Sequence, residues 1–489
     1  MTTVHQVANM SQTTAIRDCA WVVAWDDANA SHAYLCGADV VFSGNTVVHV
    51  GPDYGGDVDV EIDGRERLVM PGLVNIHAHP SGEPLRKGIT DETRSPGFHH
   101  SSLYEFLTVF DNDADGCLAS LQVALSELLM SGCTTVTDLS SPYDGWLDAL
   151  ASSGIRAVVA PGFRDARWLT RDGHSLSYEW DEAAGREAFE LARITIDRAA
   201  QHPSGRLSGM LYPAQVDTCT PQTLRDAFDY AAERGLPWQT HAAQSVTEFH
   251  EIQRRRGQTP IRFMHDIGVL GERTIIGHGI FLDHHPWLHW TSREDLSLLA
   301  DKHVNVAHCP TVFARRGITL RTFGEYLRRG INIGMGTDTY PHNFIEEMRA
   351  AAYFARVVAG SVDDLETRDV FDAATVGGAR ALGRSDLGRL APGCRADIVL
   401  VDIGDPSMMP LREPLRSLVY VAADRAVRDV YVDGHKVVAD GRVLTIDYAA
   451  ASAALEQAQR RSLARTATLD WAGRSADEMA PMVLPRYRH

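Results

Sequence analysis

Positive charge is what this chain has least of. Its 47 Lys and Arg stand against 64 Asp and Glu, for a formal net charge of −17. A phosphate backbone needs a basic stripe to displace its counterions, so a nucleic-acid partner is not expected. An anionic membrane surface is disfavoured for the same reason. Cysteine is sparse too: seven in 489 residues, scattered and odd in number, with no Cys-x-x-Cys. That usage reads as reduced thiols in a cytoplasm, mostly core filler. No apolar run is long enough to span a bilayer, and the first residues lack the basic-then-apolar pattern of a secretory signal. The expectation is a cytoplasmic protein that acts on a small molecule.

What is present is ordinary for a soluble enzyme: 44% hydrophobic and 23% charged residues, on a chain long enough to bury a large core. Short strands fill residues 13–70, among them Ala20-Trp21-Val22-Val23-Ala24-Trp25 and Ala38-Asp39-Val40-Val41-Phe42. Turn residues such as Ser43-Gly44-Asn45 separate them. From about 71 to 385 strand segments alternate with longer amphipathic helices. The strand segments are 73–77, 134–138, 156–160, 207–212, 237–241, 274–278, 304–308 and 331–337. Helical patterns cover 114–130, 221–233, 293–301 and 344–357. This α/β alternation predicts a (β/α)8 TIM-like barrel. After Pro392-Gly393 strands return at 397–401, 427–432 and 436–438, the last two joined by the turn Asp433-Gly434. Residues 447–466 are Ala-rich and read as a helix, and the last segment reads as irregular.

The most informative run is Val69-Met70-Pro71-Gly72-Leu73-Val74-Asn75-Ile76-His77-Ala78-His79-Pro80. On an extended strand positions i and i+2 point to one side, so His77 and His79 can reach one metal ion. His241 closes the fifth strand segment and Asp338 follows the eighth, at the strand ends where a barrel carries its active site. Three imidazoles and one carboxylate suit Zn²⁺, and also Fe²⁺ or another first-row divalent ion. Gly334 and Gly336 leave the last strand free to approach its neighbours closely. Taken singly, the histidines also fit a hydrogen-bonded core, and Asp338 a helix cap.

The run resembles the first-strand signature of the amidohydrolase superfamily, Pro-Gly-Leu-Val-Asn-x-His-x-His. Gly336-Thr337-Asp338-Thr339 resembles that family's last-strand motif, and the likeness extends over about residues 15–445. It implies a small β-sandwich domain built from both chain ends beside the barrel. The expected boundaries are 1–70 and 392–445 for the sandwich, 71–391 for the catalytic barrel, and 446–489 for a C-terminal helix and tail. It implies His77, His79, His241 and Asp338 as metal ligands. It implies Asp338 and His278 as catalytic residues: Asp338 accepts a proton from the attacking water, and His278 polarises the acceptor atom. Two-metal relatives carry a bridging lysine after strand four, and Ser208-Gly209-Met210-Leu211-Tyr212-Pro213-Ala214-Gln215 has none. One metal is therefore expected, as in the mononuclear deaminase and triazine-hydrolase branch. Val306-Ala307-His308-Cys309-Pro310 fits that branch's seventh strand. Relatives are commonly homo-oligomers, and the Ala-rich helix offers one interface. A metal-free scaffold is the non-enzymatic rival, disfavoured because all four ligand residues are present.

One departure stands out. That branch carries Glu three residues after the strand-five histidine, as a proton shuttle, and here the residues are His241-Ala242-Ala243-Gln244. Gln cannot exchange a proton at working pH. Glu248, one helical turn on, reads as a solvated helix position. His278, His308 and His342 are other candidate proton donors, and the sequence does not choose among them. The expectation is therefore a metal-dependent hydrolase that attacks an sp² carbon and cleaves an amide, urea or carbamate C–N bond. The alternative is an aminohydrolase or dechlorinase acting on a purine-, pyrimidine- or triazine-like ring. Expected substrate contacts are Gln244, His308 and Trp287, the last from the aromatic loop 282–290. Arg315, Arg316 and Arg349 are candidate carboxylate clamps, although surface or helix-pairing roles are more usual for such residues.

Overall fold

The structure is a computed structural model, and it describes residues 12–320 and 323–485. Eight parallel strands position the site: β1 (Leu73–Ala78), β2 (Cys133–Ser140), β3 (Arg156–Phe163), β4 (Leu207–Gly209), β5 (Trp238–Ala242), β6 (Thr274–His278), β7 (Asn305–His308) and β8 (Asn332–Met335). They form two parallel arcs, β4-β3-β2-β1 and β5-β6-β7-β8. Isolated parallel bridges join the arcs at both ends, Leu211 to Trp238 and Gln215 to His241 at one and Ala78 to Asp338 at the other. Most of these strands are buried along nearly their whole length, as expected of a parallel sheet with helices outside it. This is a TIM-barrel-like α/β arrangement.

Each strand segment expected from the sequence is found. Two differ in detail. The fourth breaks after Gly209 and resumes as Tyr212–Pro213, which pairs with the end of β3. The eighth stops at Met335, so Asp338 lies beyond the regular strand. A hairpin of Ala166–Leu169 and Ser177–Trp180 was not expected, because two four-residue strands leave too short a period to detect. Helices Ala114–Met130, Pro221–Arg234, Asp295–Asp301 and Phe344–Ala359 lie where the apolar period places them. Their ends follow capping chemistry. Asp113, Thr220 and Asn343 accept N-terminal amides, and Gly235 and Gly360 end two helices in the left-handed region.

The two chain ends do share a sheet. Its order is Arg442–Val443, His435–Ala439, Val427–Val432, Ile398–Asp402, Arg67–Pro71, Trp21–Asp26, Ser31–Leu35. Met70 pairs with Val399 at its centre. A second sheet, Thr46–Gly51, Ala38–Ser43, Thr13–Cys19 and Val60–Asp63, meets it through one apolar cluster that includes Ile16, Phe42, Val69 and Ile398. Buried Arg156 at the start of β3 ties this region to the parallel strands. Its Nε and Nη2 each lie 3.0 Å from Asp397, and Nη2 lies 2.9 Å from Asp433. The Ala-rich segment is the helix Tyr448–Leu469, which packs on Ala114–Met130 through a cluster containing Ala451, Leu455 and Ala458. The expected irregular segment ends in residues 486–489, outside the described part, as do residues 1–11 of the expected N-terminal half-domain. Among the described residues no helix is long and apolar enough to cross a membrane.

Candidate active site

The site is built where β8 meets β1. Asp338 N donates to His77 O and His79 N donates to Asp338 O, both at 2.9 Å. This zipper presents His77, His79 and Asp338 together. It needs the two glycines of the last strand. A Cβ on Gly334 would lie 2.5 Å from Ile76 Cδ1, and one on Gly336 would lie 2.6 Å from His77 O. Asn75 clamps the same junction: its Oδ1 accepts from His77 N at 3.1 Å, and its Nδ2 donates to Thr337 Oγ1 at 2.9 Å. Asp338 itself sits at φ +56°, a conformation Asp tolerates better than most residues. His278 at φ +81° and Ala243 at φ +53° add two more such residues around the same centre.

Four ligand-type atoms converge. His77 Nε2 and His79 Nε2 each lie 3.3 Å from Asp338 Oδ1, and His79 Nε2 lies 3.3 Å from His241 Nε2. A tetrahedral ion with bonds of about 2.0–2.1 Å spaces its ligand atoms about 3.3–3.4 Å apart. The outer nitrogens of the three rings are held as well. His77 Nδ1 donates to Gln239 Oε1, His79 Nδ1 to Leu139 O at 2.9 Å, and His241 Nδ1 to Ala214 O at 2.7 Å. Each ring thus has its proton fixed on Nδ1 and its Nε2 lone pair turned to the centre. His77 Nε2 is buried with no hydrogen-bond partner, the mark of a donor atom reserved for an ion. The donor set suits one divalent metal.

His278 borders this cluster. With His77, His241 and Asp338 it offers ligand atoms within 4.8 Å of one another, and its Nε2 is 3.9 Å from Asp338 Oδ2. Burial holds His278 and His241 well below the ordinary histidine range, with neighbouring imidazoles adding to the effect. Burial alone would raise Asp338, but His278, His77 and His79 outweigh it and keep the carboxyl well below its usual range. A neutral His241 beside an ionised Asp338 is what metal binding requires, whereas His79 is raised despite its burial because it bonds the Asp338 carboxylate.

A narrow cleft with about 10 Å³ of free space, room for about one water, lies next to the cluster. Phe98, Phe281 and Phe313 form its apolar walls, and Gln244, Ser245 and Arg316 are among its polar groups. Phe313 also meets the His278 ring edge-on at 4.6 Å, which joins the cleft to the cluster. Gln244 lines this cleft, only 4% exposed, with its Nε2 unpartnered. Trp287 does not. It is 47% exposed and packs on Phe281 and His285 outside the cleft wall. Loop 282–290 is a rim packed on the protein, with Trp290 edge-on to Phe249. His308 also lies off the cleft wall. It is buried against Phe323 at 5.3 Å, and burial pulls it down to about 3.

Glu248 is a clear correction. It is fully buried rather than solvated, and its carboxylate accepts from Ala243 N at 2.7 Å and Gln244 N at 3.1 Å. It shapes the turn that presents Gln244. The arginines separate likewise. Arg349 donates to Val419 O, and Arg315 donates to Tyr340 O and stacks on its ring. Of the three, only Arg316 lines the cleft. Sequence motifs alone do not single out Gln239. Gln239 stands two residues before His241 on a strand, so the period of two already puts it on the same face.

The sequence model of the amidohydrolase family matches residues 68–437. A 5'-deoxyadenosine deaminase of Methanosphaera stadtmanae is 27% identical over 415 residues, 84% of this chain and 92% of its own. A 5-methylthioadenosine/S-adenosylhomocysteine deaminase of Natronomonas pharaonis is 29% identical over 431 residues, 87% of this chain and 93% of its own. Among solved structures, an adenosine deaminase from Xanthomonas campestris with bound zinc superposes with a TM-score of 0.75 at 22% identity, covering 92% of this chain and 98% of that one. The zinc complex of atrazine chlorohydrolase from Arthrobacter aurescens TC1 gives 0.75 at 24% identity, covering 91% and 100%.

Proposed function

This chain belongs to the amidohydrolase family as a metal-dependent hydrolytic enzyme acting on C–N bonds, and we propose that it is an aminohydrolase that replaces the amino group of a nitrogen-containing aromatic ring by hydroxyl. The carrying observation is a convergence in which His77 and His79 Nε2 flank Asp338 Oδ1 and His241 Nε2 adjoins His79 Nε2, each imidazole with its Nδ1 bonded elsewhere. The relatives named as deaminases support the ring-amine reading over the amide-type cleavage that the sequence puts first. We read the two parallel arcs as one (β/α)8 barrel over 71–391. The sheets of the two chain ends make a β-sandwich from 1–70 and 392–445, and 446–489 form a helix and tail.

His77, His79, His241 and Asp338 would hold the ion, with Zn²⁺ the first choice for this donor set. When bound, a divalent ion acidifies water and polarises the acceptor atom of the substrate. Asp338 is held ionised by its imidazole neighbours, so it is placed to take a proton from the attacking water and return it to the leaving amine. His278 borders the same centre and stabilises charge that builds on the attacked ring. Gln244 Nε2, unpartnered in the cleft beside this centre, would donate to a polar group of the substrate, and Phe313 against His278 helps exclude water there.

Gln244 favours a second reading. Lacking an acidic proton, it suits cleavage of an amide, urea or carbamate, where one carboxylate can serve both proton transfers. The test is product analysis with metal-loaded protein, given 5'-deoxyadenosine, a chlorotriazine, an aryl urea and an N-acyl arylamine. Ammonia release with NH2 replaced by OH supports the proposal. Cleavage of the urea or acyl compound without turnover of any ring amine replaces it with the second reading.

A further inference from the structure

The cleft beside the cluster has an unusual charge balance for so acidic a protein. In a chain of net charge −17, none of its lining residues is a carboxylate. One is a guanidinium. Arg316 Nη2 donates to Ser102 Oγ, while its Nε is buried with no hydrogen-bond partner. Asp338 and Glu83 act on Arg316 only through space, and burial outweighs them, drawing the guanidinium below its usual range. A second donor shares the cleft: Gln244 Nε2 is likewise buried and unpartnered. Two unsatisfied donors in one cleft are desolvated polar groups that call for an acceptor. The neighbouring walls are the aromatic rings of Phe98, Phe281 and Phe313.

We propose that the substrate is an anionic aromatic compound whose carboxylate, or similarly planar oxyanion, is bound in this cleft by Arg316 with Gln244 as the second donor. The proposal rests on the reading of the adjoining cluster as the reaction centre, and it adds the chemical class of the molecule processed there. Arginine suits the task because its planar fork matches a carboxylate geometrically and keeps its charge in a dry setting. Arg316 is then a specificity-determining residue, and the carboxylate of the substrate supplies the counter-charge that the fold withholds.

The test is binding, which needs no turnover. Benzoate and its neutral isostere benzamide are titrated calorimetrically into metal-loaded full-length protein, into the metal-free protein, and into Arg316→Gln and Arg316→Lys. Benzoate is expected to bind at least about 10-fold more tightly than benzamide, the scale of a charge-assisted hydrogen bond. Arg316→Gln abolishes that preference at unchanged Tm and metal content, and Arg316→Lys keeps part of it. The preference persists in the metal-free protein. Equal affinities in the parent protein overturn the proposal. So does a benzoate preference that survives Arg316→Gln or vanishes with the metal, because the ion would then be the anion's partner. Should Arg316→Gln fold poorly, Arg316→Lys and the metal-free protein still decide the outcome. Failure of the aminohydrolase reading appears separately, as absent ammonia release with the benzoate preference intact.

Discussion

Gln239 Oε1 accepts the Nδ1 proton of His77, and both side chains are completely buried. The same amide donates from Nε2 to Ile76 O at 3.0 Å, so its orientation is fixed by the strand that carries His77. The bond sets the His77 tautomer and turns Nε2 to the centre. Gln239→Leu keeps the volume and removes the acceptor. Metal affinity is expected to fall about 10–100-fold, the usual scale for losing the group that orients a ligating imidazole. Competition against a chromophoric chelator measures this. An unchanged metal affinity would show that packing alone orients the ring.

Asp338→Asn separates ligation from proton transfer. The amide oxygen still reaches the centre, but it cannot take a proton from water. We expect kcat to fall about 10²–10⁴-fold, the range of a lost general base, with a much smaller loss of bound metal. Metal analysis and steady-state kinetics on one preparation check the split. Loss of metal in proportion to activity would leave Asp338 as a ligand only.

Glu248 carries a structural prediction. Glu248→Ala strips the acceptor from two backbone amides, Ala243 N and Gln244 N, and each buried orphan costs about 1–3 kcal/mol. Glu248→Gln leaves one acceptor oxygen and is expected to fall between the two. Denaturant unfolding gives the ordering. A rise in KM larger than the fall in kcat would identify Glu248 as a positioning residue for Gln244.

That role was legible in principle. Ser245 Oγ accepts from Glu248 N, and Ser-x-x-Glu is the pattern of a capping box, in which the glutamate turns back toward the chain before the helix. Read as one helical position among many, Glu248 looks solvated. The strands and helices that hold the site were readable because their apolar periods run over many residues, and the candidate ligands because each stands near or just past a strand end. Trp287 shows what periodicity cannot supply: an aromatic on a loop packs against whichever wall the loop reaches. Arg316 and Arg315 are adjacent in sequence, yet one faces the cleft and the other Tyr340. That difference depends on the turn after the helix Pro310–Ala314 and leaves no trace in composition.

Burial raises Glu347 to about 8, although Thr311 N donates to its carboxylate at 3.2 Å. A carboxyl whose folded pKa lies above its unfolded value holds more protons when folded. Stability therefore falls as pH rises from the unfolded value of about 4.3 toward 8 and stays low above it. Glu347→Gln keeps an acceptor for Thr311 N and removes the titration. Its Tm should match the parent protein near pH 4 and exceed it increasingly up to pH 8. Parallel melting curves with no pH-dependent gap would show that Glu347 titrates normally.

Gln244→Glu tests the departure directly. The new carboxyl would sit close to Glu248, whose carboxylate already caps the Gln244 amide in a fully buried setting. Crowding of buried acids raises a carboxyl pKa, so the added glutamate should hold a proton near neutrality and act as an acid toward the ring nitrogen. We expect ring-amine kcat to rise at least about 10-fold, toward the 10²–10⁴-fold range of general acid catalysis. At high pH the same substitution puts a negative charge beside Arg316 and should weaken benzoate binding. Rates and binding measured across pH on one variant decide between the roles. A faster ring-amine reaction would mean that Gln244 trades proton transfer for anion recognition. An unchanged rate with benzoate binding lost would confine Gln244 to recognition and leave both proton transfers to Asp338.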